Sequence, residues 1–211
     1  MNLIYDKEFR VYWTLCGSDG NNAYLLVCPT TNESVIIDAP LGPEKIIEAA
    51  TGTQVKAILI THRHSDHLEG LREITEATGA PMAAHPDDAA DMPVTPDILV
   101  NDGDTIRAGT VGVRVIHTPG HTPGALCLLT GKHLFSGDTL FPGGPGHTSS
   151  PQAFQQVKNS IANKLLPLPD DTVVYPGHGL DTTLAKSKEE IRVFDSKTHP
   201  DDLCGSVEWV M

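Results

Sequence analysis

A short apolar segment, residues 55–60, runs straight into Thr61-His62-Arg63-His64-Ser65-Asp66-His67. A run of that length bounded by polar residues is buried strand material. The chain therefore sets three imidazoles and a carboxylate at the mouth of a core strand. On extended backbone, residues two apart point the same way, so His62 and His64 face one point. Asp66 and His67 fall where the next helix starts and aim at a second position. Imidazole nitrogen with carboxylate oxygen suits a borderline cation such as zinc. Coincidental histidines in a polar loop are the competing explanation, and the spacing opposes it.

Three more segments repeat the arrangement of an apolar strand ending in a Gly/Pro-shaped loop with His or Asp. Residues 113–116 lead into His117-Thr118-Pro119-Gly120-His121, residues 134–136 into Gly137-Asp138-Thr139, and residues 173–174 into Tyr175-Pro176-Gly177-His178. Singly each reads equally well as a turn with a surface histidine. Together they predict loops converging over one sheet edge.

Between these points the pattern is strand-rich, then alternating, then strand-rich again. Strands are expected at 10–15, 23–28, 34–38, 55–60, 82–84, 105–107, 111–117, 125–129, 133–136 and 172–175, with a turn at 17–22. Helices are expected at 43–50, 68–78, 86–91, 151–165 and 184–194, the second ended by Gly79. Two sheets with helices outside is the layered solution this suggests. No composition break marks a boundary, so residues 1–211 read as one domain.

Composition narrows the partners. A formal net charge of -12 and a pI near 5.1 disfavour phosphate backbones, and the 15 Lys and Arg are scattered. The expected partner is a small-molecule substrate, with no nucleic acid and no membrane. The first ten residues hold no apolar signal region, and no stretch has the roughly 20 apolar residues of a span, so a cytoplasmic location is expected. Cys16, Cys28, Cys127 and Cys204 form no CxxC and read as buried or half-buried thiols.

The four segments resemble the motifs of the metallo-β-lactamase fold superfamily, and within it the short, single-domain glyoxalase II-like (hydroxyacylglutathione hydrolase-like) branch. The resemblance implies a four-layer αββα sandwich. It assigns His62, His64 and His121 to one metal and Asp66, His67 and His178 to a second, with Asp138 bridging and with Asp66 and Asp138 as catalytic carboxylates. Two zinc ions (Zn2+) are implied, iron or a mixed zinc, iron and manganese centre being compatible. The implied reaction is attack by a metal-bridging hydroxide on a thioester or small ester, metals in such sites standing roughly 3.5–4 Å apart. No Gly-x-Ser-x-Gly elbow offers a serine route.

The resemblance also sorts the alternatives. His64 stands where diiron oxygen-reducing members carry Glu, and Asp138 resembles glyoxalase II and lactonase members. Residues 142–150 lack the Arg that related short members often carry, and the helical carboxy-terminal domain of larger glyoxalase II enzymes is not expected. A persulfide dioxygenase-like enzyme with one iron on His62, His121 and Asp138, a lactonase, and a catalytically silent metal-binding domain are the other readings. Asp38 is expected to orient a ligand. His117 reads equally as a supporting or a loop residue, Tyr175 as core, and His85, His133 and His199 as surface residues. Oligomeric state is not readable.

Overall fold

The computed structural model describes residues 1–210. β1 (Asn2–Asp6), β2 (Arg10–Cys16), β3 (Asn21–Val27), β4 (Glu33–Ile37), β5 (Gln54–Leu59), β6 (Met82–Ala84) and β7 (Ile98–Leu99) form one sheet in that order. Its first four strands pair antiparallel, and β4 to β7 run parallel. The second sheet contains β8 (Thr105–Ala108), β9 (Val111–His117), β10 (Leu126–Thr130), β11 (His133–Gly137), β14 (Val173–Pro176) and β15 (Thr182–Thr183). Its spatial order is β15-β14-β11-β10-β9-β8, and only β11 and β14 are parallel. A two-stranded ribbon, β12 (Leu140–Phe141) with β13 (Gly144–Pro145), stands apart.

Strand periodicity makes these sheets two-sided. In β3 every residue is buried: Tyr24 and Leu26 pack toward the second sheet, whereas Ala23, Leu25 and Val27 pack toward the helices. The outer layer on that side is α1 (Glu44–Ala50) and α2 (Leu71–Thr78), which bury Ile46, Leu71 and Ile74. On the other side α4 (Pro151–Ser160) and α5 (Leu184–Asp195) bury Phe154, Val157, Ile191 and Phe194 against Ile116, Cys127 and Leu134. Three apolar seams, helix on sheet, sheet on sheet and sheet on helix, make an αββα sandwich. Among the described residues no helix is long and apolar enough to cross a membrane.

Local chemistry sets the ends of these elements. α2 stops at Gly79, whose φ of 66° is the left-handed cap a side chain resists. α4 starts on Ser150, whose hydroxyl accepts from the Ala153 N–H, with Pro151 beside it. The helix expected at 151–165 follows one path, but its last turn, Ile161–Leu165, widens to a π-turn. A 3-10 turn at Ser65–His67 precedes α2, so the helix starts three residues later than expected, and α3 is only Pro86–Ala89. Asn21 and Asn22, expected in a turn, open β3. β1, β7, β12, β13 and β15 were not expected; they are short or exposed and carry little apolar signal.

The surface assignment of His85 and His133 is corrected, and His199 is half-buried. His85 is buried and stacks on His117 at 3.8 Å between ring centroids. His133 is buried with Tyr5 and Tyr175 around it, and His199 stacks on Phe194 at 3.7 Å. A neutral imidazole has apolar faces to bury, which a count of polar residues overlooks. Cys16, Cys28 and Cys127 are buried and Cys204 is exposed.

Candidate metal centre

Four strand ends bring the predicted residues together. β5 delivers residues 61–67, β9 the loop to His121, β11 Asp138, and β14 His178. Backbone bonds lock the loops to one another: Leu126 N–H donates to Thr61 O at 2.8 Å, Asn22 N–H to Gly177 O at 2.7 Å, and Gly177 N–H to Gly137 O at 2.8 Å.

The donor atoms of His62, His64 and His121 lie within 4.8 Å of one another, and so do those of Asp66, His67 and His178. His64 Nδ1 is 3.1 Å from His62 Nε2 and 2.9 Å from His121 Nε2. His67 Nε2 is 3.3 Å from His178 Nε2. Asp138 touches both groups: Oδ2 is 3.7 Å from His121 Nε2 and 3.7 Å from His178 Nε2, and Oδ1 is 3.5 Å from His67 Nε2.

The far ring nitrogens of His62, His67, His121 and His178 are engaged. His67 Nδ1 bonds Asp38 Oδ2 at 2.9 Å, His121 Nδ1 bonds His147 O at 2.8 Å, and His178 Nδ1 bonds Asp19 O at 3.2 Å. His62 Nδ1 lies 3.0 Å from Thr61 Oγ1, whose own proton goes to Asp38 Oδ2. A carbonyl, carboxylate or hydroxyl partner takes an N–H, so in the neutral imidazole the opposite Nε2 presents a lone pair to the centre. Lone pairs crowded this closely repel unless a cation lies among them. Asp138 Oδ1 is buried with no hydrogen-bond donor, an acceptor whose burial calls for the same cation. These residues therefore fit one or two divalent metal ions.

Electrostatics keep most of the histidines in ligand form. Burial holds His62 well below the ordinary histidine range, neighbouring imidazoles adding to the effect. Burial also lowers His64, and takes His121 to about 4 against the opposing pull of its bond to His147 O. For His67 burial would do the same, but the charges of Asp38, Asp138 and Asp66 and the bond to Asp38 lift it to about 9. Burial raises Asp138 to about 6 although His67 and His178 pull it down. Burial would raise Asp66 too, but the bond from Asn21 and the nearby His67 hold it low.

Two supports were missed in the sequence, where both residues read as part of a turn. Asn21 Nδ2 donates to Asp66 Oδ2 at 2.8 Å, and Asn22 Nδ2 donates to the carbonyls of Pro176 and Gly179, each at 2.9 Å. Two amides opening an otherwise apolar strand are the signal that marked them. Asp38 stands where expected, and its φ of 60° turns the chain after β4. His117 joins no donor group of the centre; its Nε2 bonds Pro123 O at 2.8 Å. His85, Asp87 and His117 form another cluster of donors, but the two rings lie near-parallel, 15° apart, so their lone pairs do not converge.

An αββα sandwich carrying imidazole and carboxylate donors at its strand ends is a metal-site protein of the metallo-β-lactamase type. The chain belongs to the metallo-beta-lactamase superfamily, whose profile matches residues 16–178 and so spans all seven donors. It is similar to a hydroxyacylglutathione hydrolase of Polaromonas sp. strain JS666, at 41% identity over 164 residues, 75% of this chain. The match spans 62% of that relative's own length. Among solved structures it is similar to ETHE1 from Myxococcus xanthus, with TM-score 0.75, 27% identity, and coverage of 84% of this chain and 81% of that one. It is also similar to TTHA1623 in a di-iron-bound form, with TM-score 0.70, 32% identity, and coverage of 84% and 96%.

Proposed function

We propose that this chain is a metal-dependent hydrolase with a dinuclear centre that cleaves a small thioester. Hydrolysis as a class rests on membership of the superfamily and on relatives named hydroxyacylglutathione hydrolase. The dinuclear reading rests on one observation: Asp138 Oδ2 stands 3.7 Å from the Nε2 atoms of both His121 and His178. A single carboxylate that reaches both histidine groups would serve two ions at once, which supports this reading. His62, His64 and His121 would hold one ion and Asp66, His67 and His178 the other. The likeness to TTHA1623, solved with two irons, supports two ions and keeps iron beside zinc as the metal.

Divalent ions held there would lower the pKa of water toward neutrality and polarise the scissile carbonyl. The chain's own residues set the rest. Asp138 fixes the spacing of the two positions. Asp66, kept ionised and aimed by Asn21, accepts the proton of the attacking water. A thiolate, with a parent thiol near pKa 8.5, leaves without a strong acid. The thioester reading also draws on the named hydrolase relatives. The mononuclear reading on His62, His121 and Asp138 would leave Asp66, His67 and His178 without a task.

Elemental analysis of protein purified without added metal, with turnover of S-lactoylglutathione, tests the proposal. Two metals per chain with hydrolysis support it. One iron per chain, with oxygen consumed on glutathione persulfide, overturns it. His121→Ala should abolish turnover with the fold kept, and Asp138→Asn should weaken the second metal most.

A further inference from the structure

Asp88 is a carboxylate with 0% exposure that touches neither donor group, yet it is bonded to the loops of both His64 and His121. Its Oδ2 accepts the backbone N–H of Arg63 at 3.1 Å and the hydroxyl of Thr122 at 2.6 Å. Its Oδ1 accepts the backbone N–H of Gly124 at 2.8 Å. Arg63 lies between His62 and His64, and Thr122 follows His121. One side chain from α3 thus clamps together two loops that are 57 residues apart at His64 and His121.

The surroundings are built around this contact. A Cβ on residue 124 would stand 2.7 Å from Asp88 Cγ, so only glycine lets the β9–β10 loop approach. The Arg63 side chain folds back over the same corner, with Nε 3.9 Å from Asp88 Oδ1 and its guanidinium paired to Asp91. The His85 ring, at the start of α3, stacks on His117 at the start of the other loop. A buried carboxylate is stable only when its lone pairs are taken up, and here the donors are supplied by the two loops that must meet.

We propose that Asp88 is a positioning residue for the three-histidine metal position, setting the separation of His62 and His64 from His121. The proposal rests on the reading of those histidines as ligands of one ion. Asp88→Asn separates the roles by chemistry. An amide has one acceptor oxygen, so it can hold the Arg63 and Thr122 side of the clamp or the Gly124 side, but not both.

The test is titration of metal-free, full-length protein with cobalt(II), followed by absorbance and by competition against a chelator. His121→Ala serves as reference. Asp88→Asn should bind cobalt ~10–100-fold more weakly at the three-histidine position, the range for groups that orient metal ligands. Its visible band for that position should shift, while the Asp66, His67 and His178 position keeps its affinity. Equal weakening at both positions, or wild-type affinity and spectrum, overturns the proposal. If Asp88→Asn fails to fold, Thr122→Val decides: it removes one donor from the clamp, and a wild-type titration then overturns the proposal while selective weakening at the three-histidine position supports it. If His121→Ala itself binds cobalt like the wild type, the ligand reading fails instead, whatever Asp88 does.

Discussion

Oδ2 of Asp38 lies 2.9 Å from Nδ1 of His67, and the same carboxylate takes the hydroxyl of Thr61 at 2.9 Å and its N–H at 2.8 Å. It therefore fixes the His67 tautomer and ties the start of the histidine loop to the end of β4. Asp38→Asn keeps a side chain that tolerates the left-handed backbone but removes the charge. Metal at the Asp66, His67 and His178 position should bind about 10–100-fold more weakly, with the three-histidine position little changed. Chelator competition on each position checks this.

The same pair gives the metal-free protein a pH dependence. His67 is lifted to about 9 in the fold, against about 6.5 unfolded. A raised folded value means the stabilisation is complete below about pH 6.5 and is lost as the pH rises through about 9. Urea midpoints of the metal-free protein should fall across that window, and less steeply in Asp38→Asn. Parallel curves for the two proteins would refute the coupling.

Gly177 is one of the tight approaches to the centre. A Cβ there would run into Asp138 Oδ1 and stand 2.7 Å from Cε1 of His67. Gly177→Ala should displace the Asp138 carboxylate and lower the metal content relative to the wild type, the far-ultraviolet circular dichroism being unchanged. Full metal content with full activity would contradict it.

Trp209, 1% exposed, packs in the seam under α4 and α5, and its backbone N–H donates to Gly143 O at 2.7 Å. That seats residues 142–150, whose His147 carbonyl takes the Nδ1 proton of His121. Trp209→Ala should cost about 3–5 kcal/mol of stability in denaturant unfolding. Trp209→Phe should lose much less, since the indole Nε1 has no hydrogen-bond partner.

The long elements were legible because their signals are local. Residues 111–117 are a strand in the expected place, and α2 ends at Gly79 as expected. The residues that the fold brings together were legible for the same reason, since each lies just beyond an apolar strand. What escaped was decided across the molecule. Asn21 reads as a turn residue until β3 is paired with β2 and its amide meets Asp66. Asp88 reads as an ordinary first-turn acid of a short helix. The stacked faces of His85, His133 and His199 depend on neighbours 5 to 42 residues away.

By itself, then, the sequence determined which side chains are offered: the period-2 apolar strands, the glycines that end them, and the His and Asp that follow. Those properties come from backbone geometry within a few residues. Only the tertiary structure decided that His64 and His121 stand 2.9 Å apart, that Asp138 touches both donor groups, and that Asp38 and Asp88 hold the loops. Ångström-scale convergence of residues 17 to 57 apart depends on how two sheets twist and pack, and no local pattern encodes that distance.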